Sequence, residues 1–138
     1  MKTPTQSAEI LKNFVAPRQL STLLDLAAHC EEKDYFIETL DEMATRIDEM
    51  PHTYQQDGKG DQAIAYLHYF RGSGDWYITE KDMGDGSGDL TQYQAFGLAD
   101  LGYGPEFGYI GIEELKQCNV EIDLHFTPKP IGEIKQSH

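Results

Sequence analysis

Carboxylates are the residues whose density along this chain could support chemistry. From Asp75 to Asp123 there are eleven acidic residues, Glu80, Asp82, Glu106, Glu121 and Asp123 among them, and only two bases, Lys81 and Lys116. Two kinds of chemistry follow from such an array. If Glu80 or Asp82 stands on a strand beside Asp123 and His125, the four residues Glu80, Asp82, Asp123 and His125 make a carboxylate–histidine set of the kind that holds a metal ion and activates water. If the acids instead line the outer face of a sheet, Glu80, Asp82, Glu106, Glu121 and Asp123 form a binding surface for a basic partner. Side chains two apart on one strand share a face but lie about 6.7 Å apart. Glu121, Asp123 and His125 therefore cannot close around one ion without help from a second strand.

Other chemistries lack their signatures. The loop Asp82-Met83-Gly84-Asp85-Gly86-Ser87-Gly88-Asp89 invites a calcium reading, but counting from Asp85 puts Leu90 where a calcium loop needs glycine and Phe96 where it needs glutamate. It reads as a flexible hairpin loop. Neither a G-x-G-x-x-G before a helix nor a G-K-S/T occurs, and no G-x-S-x-G elbow is present. His29 and Cys30 are adjacent on a helix and so point in different directions. His68, inside an apolar strand, reads as a hydrogen-bonded core residue rather than a ligand. No motif calls for a cofactor.

The formal charge is −13 over 138 residues. A surface of this sign repels phosphate, so direct nucleic-acid binding is not expected, whereas a basic protein is drawn to it. No apolar run of eighteen residues exists and Met1–Ser7 is polar, so neither a membrane span nor a secretory signal is expected, and the location expected is cytoplasmic. Cys30 and Cys118 are read as free thiols behaving as small buried hydrophobes.

The elements that would carry these acids divide the chain into a helical part, residues 1–54, and a sheet part, residues 62–138, within one domain. Thr3-Pro4 and Pro17 open two helices. A third runs from about Asp34 to Glu49, with Ile37, Leu40, Met43, Ala44 and Ile47 inward, and Met43 and Met50 are read as core. Gln55 to Asp61 reads as an exposed turn or linker. Ala63 to Phe70 reads as a strand covered on both faces, Gly72-Ser73-Gly74 as a hairpin, and Asp75 to Lys81 as the return strand with Trp76, Ile78 and Glu80 on one face. Further strands are expected at Tyr93–Ala99 and Phe107–Ile112, with Gly97, Gly102 and Gly104 marking close backbone approach or positive φ. A short helix follows to Cys118, stopping at Asn119. Val120, Ile122, Leu124 and Phe126 alternate strictly with Glu121, Asp123 and His125, the cleanest half-buried strand pattern in the chain. Ile131 to Lys135 is a terminal turn or helix. The fold class expected is α+β, with N-terminal helices packed on an antiparallel sheet of four or five strands.

Several of these stretches resemble a bacterial domain family of unknown function found in plasmid, prophage and integrative-element proteins. They are Trp76-Tyr77-Ile78-Thr79-Glu80 with Asp82, Phe96-Gly97-Leu98, Glu106-Phe107-Gly108-Tyr109 leading into Glu114-Leu115, and Asp123-Leu124-His125-Phe126 before Pro128. The resemblance covers the second half of the chain and implies an accessory protein of a mobile element; it carries over no catalytic residue. Two functions of different class then stand open. One is an acidic protein that binds a basic, nucleic-acid-binding protein of host defence or recombination, imitating the charge of DNA. The other is a small metal-dependent hydrolase or nuclease-like accessory using Glu80, Asp82, Asp123 and His125. A binding role is the expected one, and the two differ in whether the carboxylates spread over a surface or converge in a cleft.

Overall fold

Thr3 starts the first helix, α1 (Pro4–Leu11): its hydroxyl accepts the Gln6 N–H at 3.2 Å while the Gln6 side chain accepts the Thr3 N–H at 2.9 Å. This reciprocal cap, with Pro4 preset for the first helical position, satisfies donors that a helix start otherwise leaves open. Pro17 likewise takes the first helical position of α2 (Pro17–His29), without a side-chain cap, and α3 (Lys33–Glu49) follows after a short turn. Leu20, Leu23, Ala27, Leu40, Met43, Ala44 and Ile47 are buried where helical spacing puts them, and Met50 is buried with them. The computed structural model describes residues 1–137.

Seven strands follow: β1 (Ile64–Ala65), β2 (Leu67–Arg71), β3 (Gly74–Glu80), β4 (Ala95–Asp100), β5 (Pro105–Ile110), β6 (Glu121–Ile122) and β7 (Lys129–Pro130). Five form one antiparallel sheet in the order β5-β4-β3-β2-β6, and β1 pairs with β7 separately. Helices α4 (Ile112–Gln117) and α5 (Ile131–Gln136) complete the α+β fold. Leu67, Tyr69, Ile78, Ala95, Ile110 and Ile122 meet the N-terminal helices and α4 in the main core. Tyr77 and Leu98 point the other way, into a second core with Ala65, Phe126, Ile131 and Ile134. Period-two alternation thus gives the sheet a helix-covered face and an outer face that only the C-terminal segment covers in part.

Four expectations are corrected. The stretch from Ala63 to Phe70 is not one strand: β1 turns aside to pair with β7, and the Tyr66 N–H goes to the Ile78 carbonyl at 2.8 Å. The run from Val120 to Phe126 alternates in burial only as far as Ile122, Asp123 and Leu124 are both half-buried, and Phe126 enters the second core; only Glu121 and Ile122 pair as strand, the Asp123 N–H still reaches the His68 carbonyl at 2.8 Å, and the Asp123 carboxylate then accepts the His125 N–H at 2.9 Å and turns the chain away. Glu80 does not share a face with Trp76 and Ile78. Ile78 registers with Gly97 but Glu80 with Phe96, so Thr79 is an extra residue and everything after it is on the other face. Nor are both thiols buried, since Cys118 is exposed and Cys30 half-buried.

Residues 55–61 are exposed as expected, save Gln56. Gln56 is buried, and its amide takes both backbone groups of Ile64, accepting the N–H at 2.7 Å and donating to the carbonyl at 3.0 Å, and donates to the Thr79 carbonyl at 2.8 Å. Two other glutamines do the same. Gln19 on α2 takes the N–H and carbonyl of Ile122 at 2.9 and 3.0 Å, and Gln92 takes those of Asp82, both at 2.8 Å. A side-chain amide carries one acceptor and two donors, so each glutamine stands in for a neighbouring strand where the ladder has none. Through Gln92 the glycine-rich loop is tied down. Close approach explains Gly97, where a Cβ would sit 1.9 Å from the Tyr77 carbonyl oxygen.

Candidate functional site

His68 is the centre of the outer face. Its register partner on β3 is Tyr77, and the two rings stack at 4.5 Å between centroids and 6° between planes. One ring nitrogen, Nε2, lies 2.8 Å from Asp75 at the start of β3, and the other, Nδ1, 3.1 Å from Asp123 just past β6. Donation to both carboxylates at once requires a proton on each nitrogen. The imidazole therefore clips the end of β6 to the β2–β3 hairpin.

Asp123 is pulled in two directions. Partial burial pushes its carboxyl up, but the hydrogen bond from His68, the amide of His125 and the charge of both histidines outweigh this and hold it below the ordinary carboxylate value. Tyr77 feels the same neighbourhood from the other side: burial first, then Asp75, Asp100 and Asp123, push its phenol up to about 12. Asp75 and Asp100 are register partners on adjacent strands. Glu121 registers with Phe70, so it is on the outer face as well, and both are exposed. Asp75, Asp100, Glu121 and Asp123 thus form an acidic patch at the hairpin end, with exposed Phe70 and Leu101 beside it.

The other candidates lie elsewhere. Asp82 is in the glycine-rich loop, where its carboxylate accepts the N–H groups of Gly84 at 2.8 Å and Gln94 at 3.0 Å. Glu106 is exposed on the edge strand β5, opposite Ala99, which alternation puts on the sheet's other face. His125 is exposed beyond the turn. Glu80 is buried at the far end of β3 and accepts the Gln56 N–H at 3.2 Å. Because β2 lies between β3 and β6, Glu80 and Asp123 are not on neighbouring strands, so the expected four-residue set is not brought together. Among the described residues no three His, Cys, Asp or Glu side chains are grouped to hold a metal ion.

Sequence reasoning missed Asp75, Asp100 and His68 as parts of the patch. Asp75 and His68 flank a two-residue hairpin loop, which puts them on adjacent strands, and that signal was available. It also missed an aromatic group around Glu80. Phe96 stacks with Phe107 at 6.3 Å and meets Tyr109 edge-on at 5.6 Å, and the Tyr109 hydroxyl lies 2.6 Å from that of Tyr54. The Tyr54 contact, followed by burial and the charges of Asp57 and Glu80, raises the Tyr109 phenol.

No curated protein and no solved structure matches the chain. A family does: residues 37–131 match the domain described as a protein of unknown function (DUF2958). The match begins within α3 and ends at the start of α5, reaching further back than the motifs of the second half. It takes in every strand and the whole acidic patch, and the chain belongs to this family of unknown function, DUF2958.

Proposed function

We propose that this protein is an acidic accessory protein of mobile genetic elements that binds a basic, nucleic-acid-binding protein of host defence or recombination, occupying the surface that would otherwise hold nucleic acid. The observation that carries this reading is the gathering of Asp75, Asp100 and Asp123 around Tyr77, with Glu121 alongside, on the outer face of a sheet. Strands spaced about 4.8 Å apart hold these carboxylates in a fixed array, as a mobile loop could not. The net charge of −13 adds a long-range field that speeds encounter with a basic surface and weakens as salt rises. Mobile-element context comes from the motif resemblance around Trp76, Phe107 and Asp123. The hydrolase reading has no geometric observation in its favour, because Glu80 and Asp82, at and beyond the far end of β3, are separated by β2 from Asp123 and His125 beyond β6.

Competition tests the proposal. A basic partner captured from host lysate is purified and loaded with labelled duplex DNA, and this protein is titrated in. Release of the DNA at stoichiometric protein, lost by several hundred millimolar salt, is expected. A ternary complex that keeps the DNA bound would show that the patch does not take the place of nucleic acid.

A further inference from the structure

Glu80 is only 3% exposed, yet among the described residues it forms no ion pair, and its one hydrogen bond is the Gln56 N–H on Oε2. Nearby cations have other oxygen partners: the Lys81 ammonium donates to the Ile47 carbonyl at 2.7 Å, and Lys135, which lies over the Phe107 ring, is held by Asp61 at 2.8 Å. With one donor on Oε2, the Glu80 carboxyl keeps acceptor capacity for a further donor, and a cationic donor makes the strongest such bond. Glu80 lines a cavity of about 300 Å³ together with Gln56, Asp57, Thr79, Phe96 and Phe107. The Thr79 bulge is what turns Glu80 into this cavity rather than into the main core. The walls suit a cation too. Ring faces attract positive charge, and Phe107 already carries the Lys135 ammonium 5.2 Å from its centroid. Asp57 at the rim adds a second negative charge, and among the described residues no basic one lines the cavity.

We propose that this cavity takes the cationic head of one arginine or lysine side chain, with Glu80 as the counter-ion, Phe96 and Phe107 as the aromatic wall and Asp57 at the mouth. The inference rests on the reading of the protein as a binder of basic partners and supplies the specific contact that a diffuse acidic patch lacks. A charge-assisted bond to a buried carboxylate fixes which basic residue docks, whereas the patch around His68 sets how fast the partner arrives.

The probes are N-acetylarginine amide, N-acetyllysine amide, the neutral isostere N-acetylcitrulline amide and the free diamine putrescine, titrated into the whole protein and followed by ¹⁵N chemical shifts. The Gln56 N–H bonded to Glu80, with the amides of Phe96 and Phe107, should move saturably with the arginine or lysine probe. Citrulline should bind at least tenfold more weakly, and Glu80→Gln should abolish the shifts while keeping the Gln56 hydrogen bond. Putrescine binding more tightly than either amino-acid probe would overturn the side-chain assignment in favour of a free polyamine. Citrulline equal to arginine, or unchanged binding by E80Q, would overturn the site altogether. If E80Q does not fold, Phe107→Leu at the exposed wall decides: at least threefold weaker arginine binding supports the site and unchanged binding removes it. Full partner affinity in a folded E80Q would sink this inference and leave the patch reading standing, whereas arginine shifts at Gln56 with no partner affinity in any assay would do the reverse.

Discussion

Replacing Gln56 by alanine removes the amide that satisfies three backbone groups at once, the N–H and carbonyl of Ile64 and the carbonyl of Thr79. None has another partner within easy reach. Ile64 registers with Pro130, which has no N–H to give, and Thr79 is the bulged residue that the β3–β4 ladder skips. Each buried backbone group left unmade costs about 1–3 kcal/mol. Ile64 is only half-buried, so water reaches part of the gap and the sum belongs at the low end, about 3 kcal/mol. For a chain of this length that lowers Tm by about 12 °C. Urea and thermal melts followed by circular dichroism measure the loss, and hydrogen exchange should show the Ile64 amide losing protection before the rest of the sheet. The exposed Gln62→Ala serves as control and should lie within about 0.5 kcal/mol of wild type. A loss below about 1 kcal/mol for Q56A, or one equal to that of the control, would refute the idea that this glutamine completes the sheet.

Ile122→Asp should cost about 4 kcal/mol or more, since it buries a charge at a residue 2% exposed, and Leu124→Asp should cost less because Leu124 is half-buried outside the ladder; Glu121→Ala should be near neutral, all by urea melts. Gly97→Ala should be among the most damaging small substitutions, about 3 kcal/mol or more, because its methyl would meet backbone that no rotamer can move; a folded variant with wild-type Tm would contradict the close approach. Asp123 has its carboxyl held below the ordinary value, so its ionised form favours the folded state at pH above about 4, and that contribution fades as pH falls through the folded value. Melts between pH 2 and 6 should therefore show a shallower acid limb for Asp123→Asn than for wild type, and superimposable limbs would remove the linkage.

The helices were legible because their signals are local. Thr3 with Pro4, Pro17, and the spacing of Leu40, Met43, Ala44 and Ile47 act within a few residues and are not overruled by distant contacts. The hairpin at Gly72-Ser73 was legible for the same reason. What alternation could not reveal is whether a neighbouring strand exists. Val120 to Phe126 has the sequence pattern of a strand but only two residues of pairing, because β1, the extension that would have continued beside it, is taken by β7. Gln19, Gln56 and Gln92 were invisible because a glutamine among polar residues looks like surface, and its value here lies in which backbone it reaches. The acids were misgrouped by one inserted residue, Thr79, and by a strand order that separates β3 from β6. The expected grouping of Glu80, Asp82 and Asp123 therefore did not form in space, while strand register made neighbours of Asp75 and Asp100.

The most direct test of the acidic patch is the association rate of a purified basic partner with wild type and with the triple variant Asp75→Asn, Glu121→Gln, Asp123→Asn across a salt series at pH 7.5. The asparagine oxygens can still accept from His68, so the hairpin clip survives while three charges go. A folded variant is expected, with association at low salt slower by about tenfold or more and a rate that depends less on salt. The same rate and the same salt slope as wild type would contradict it.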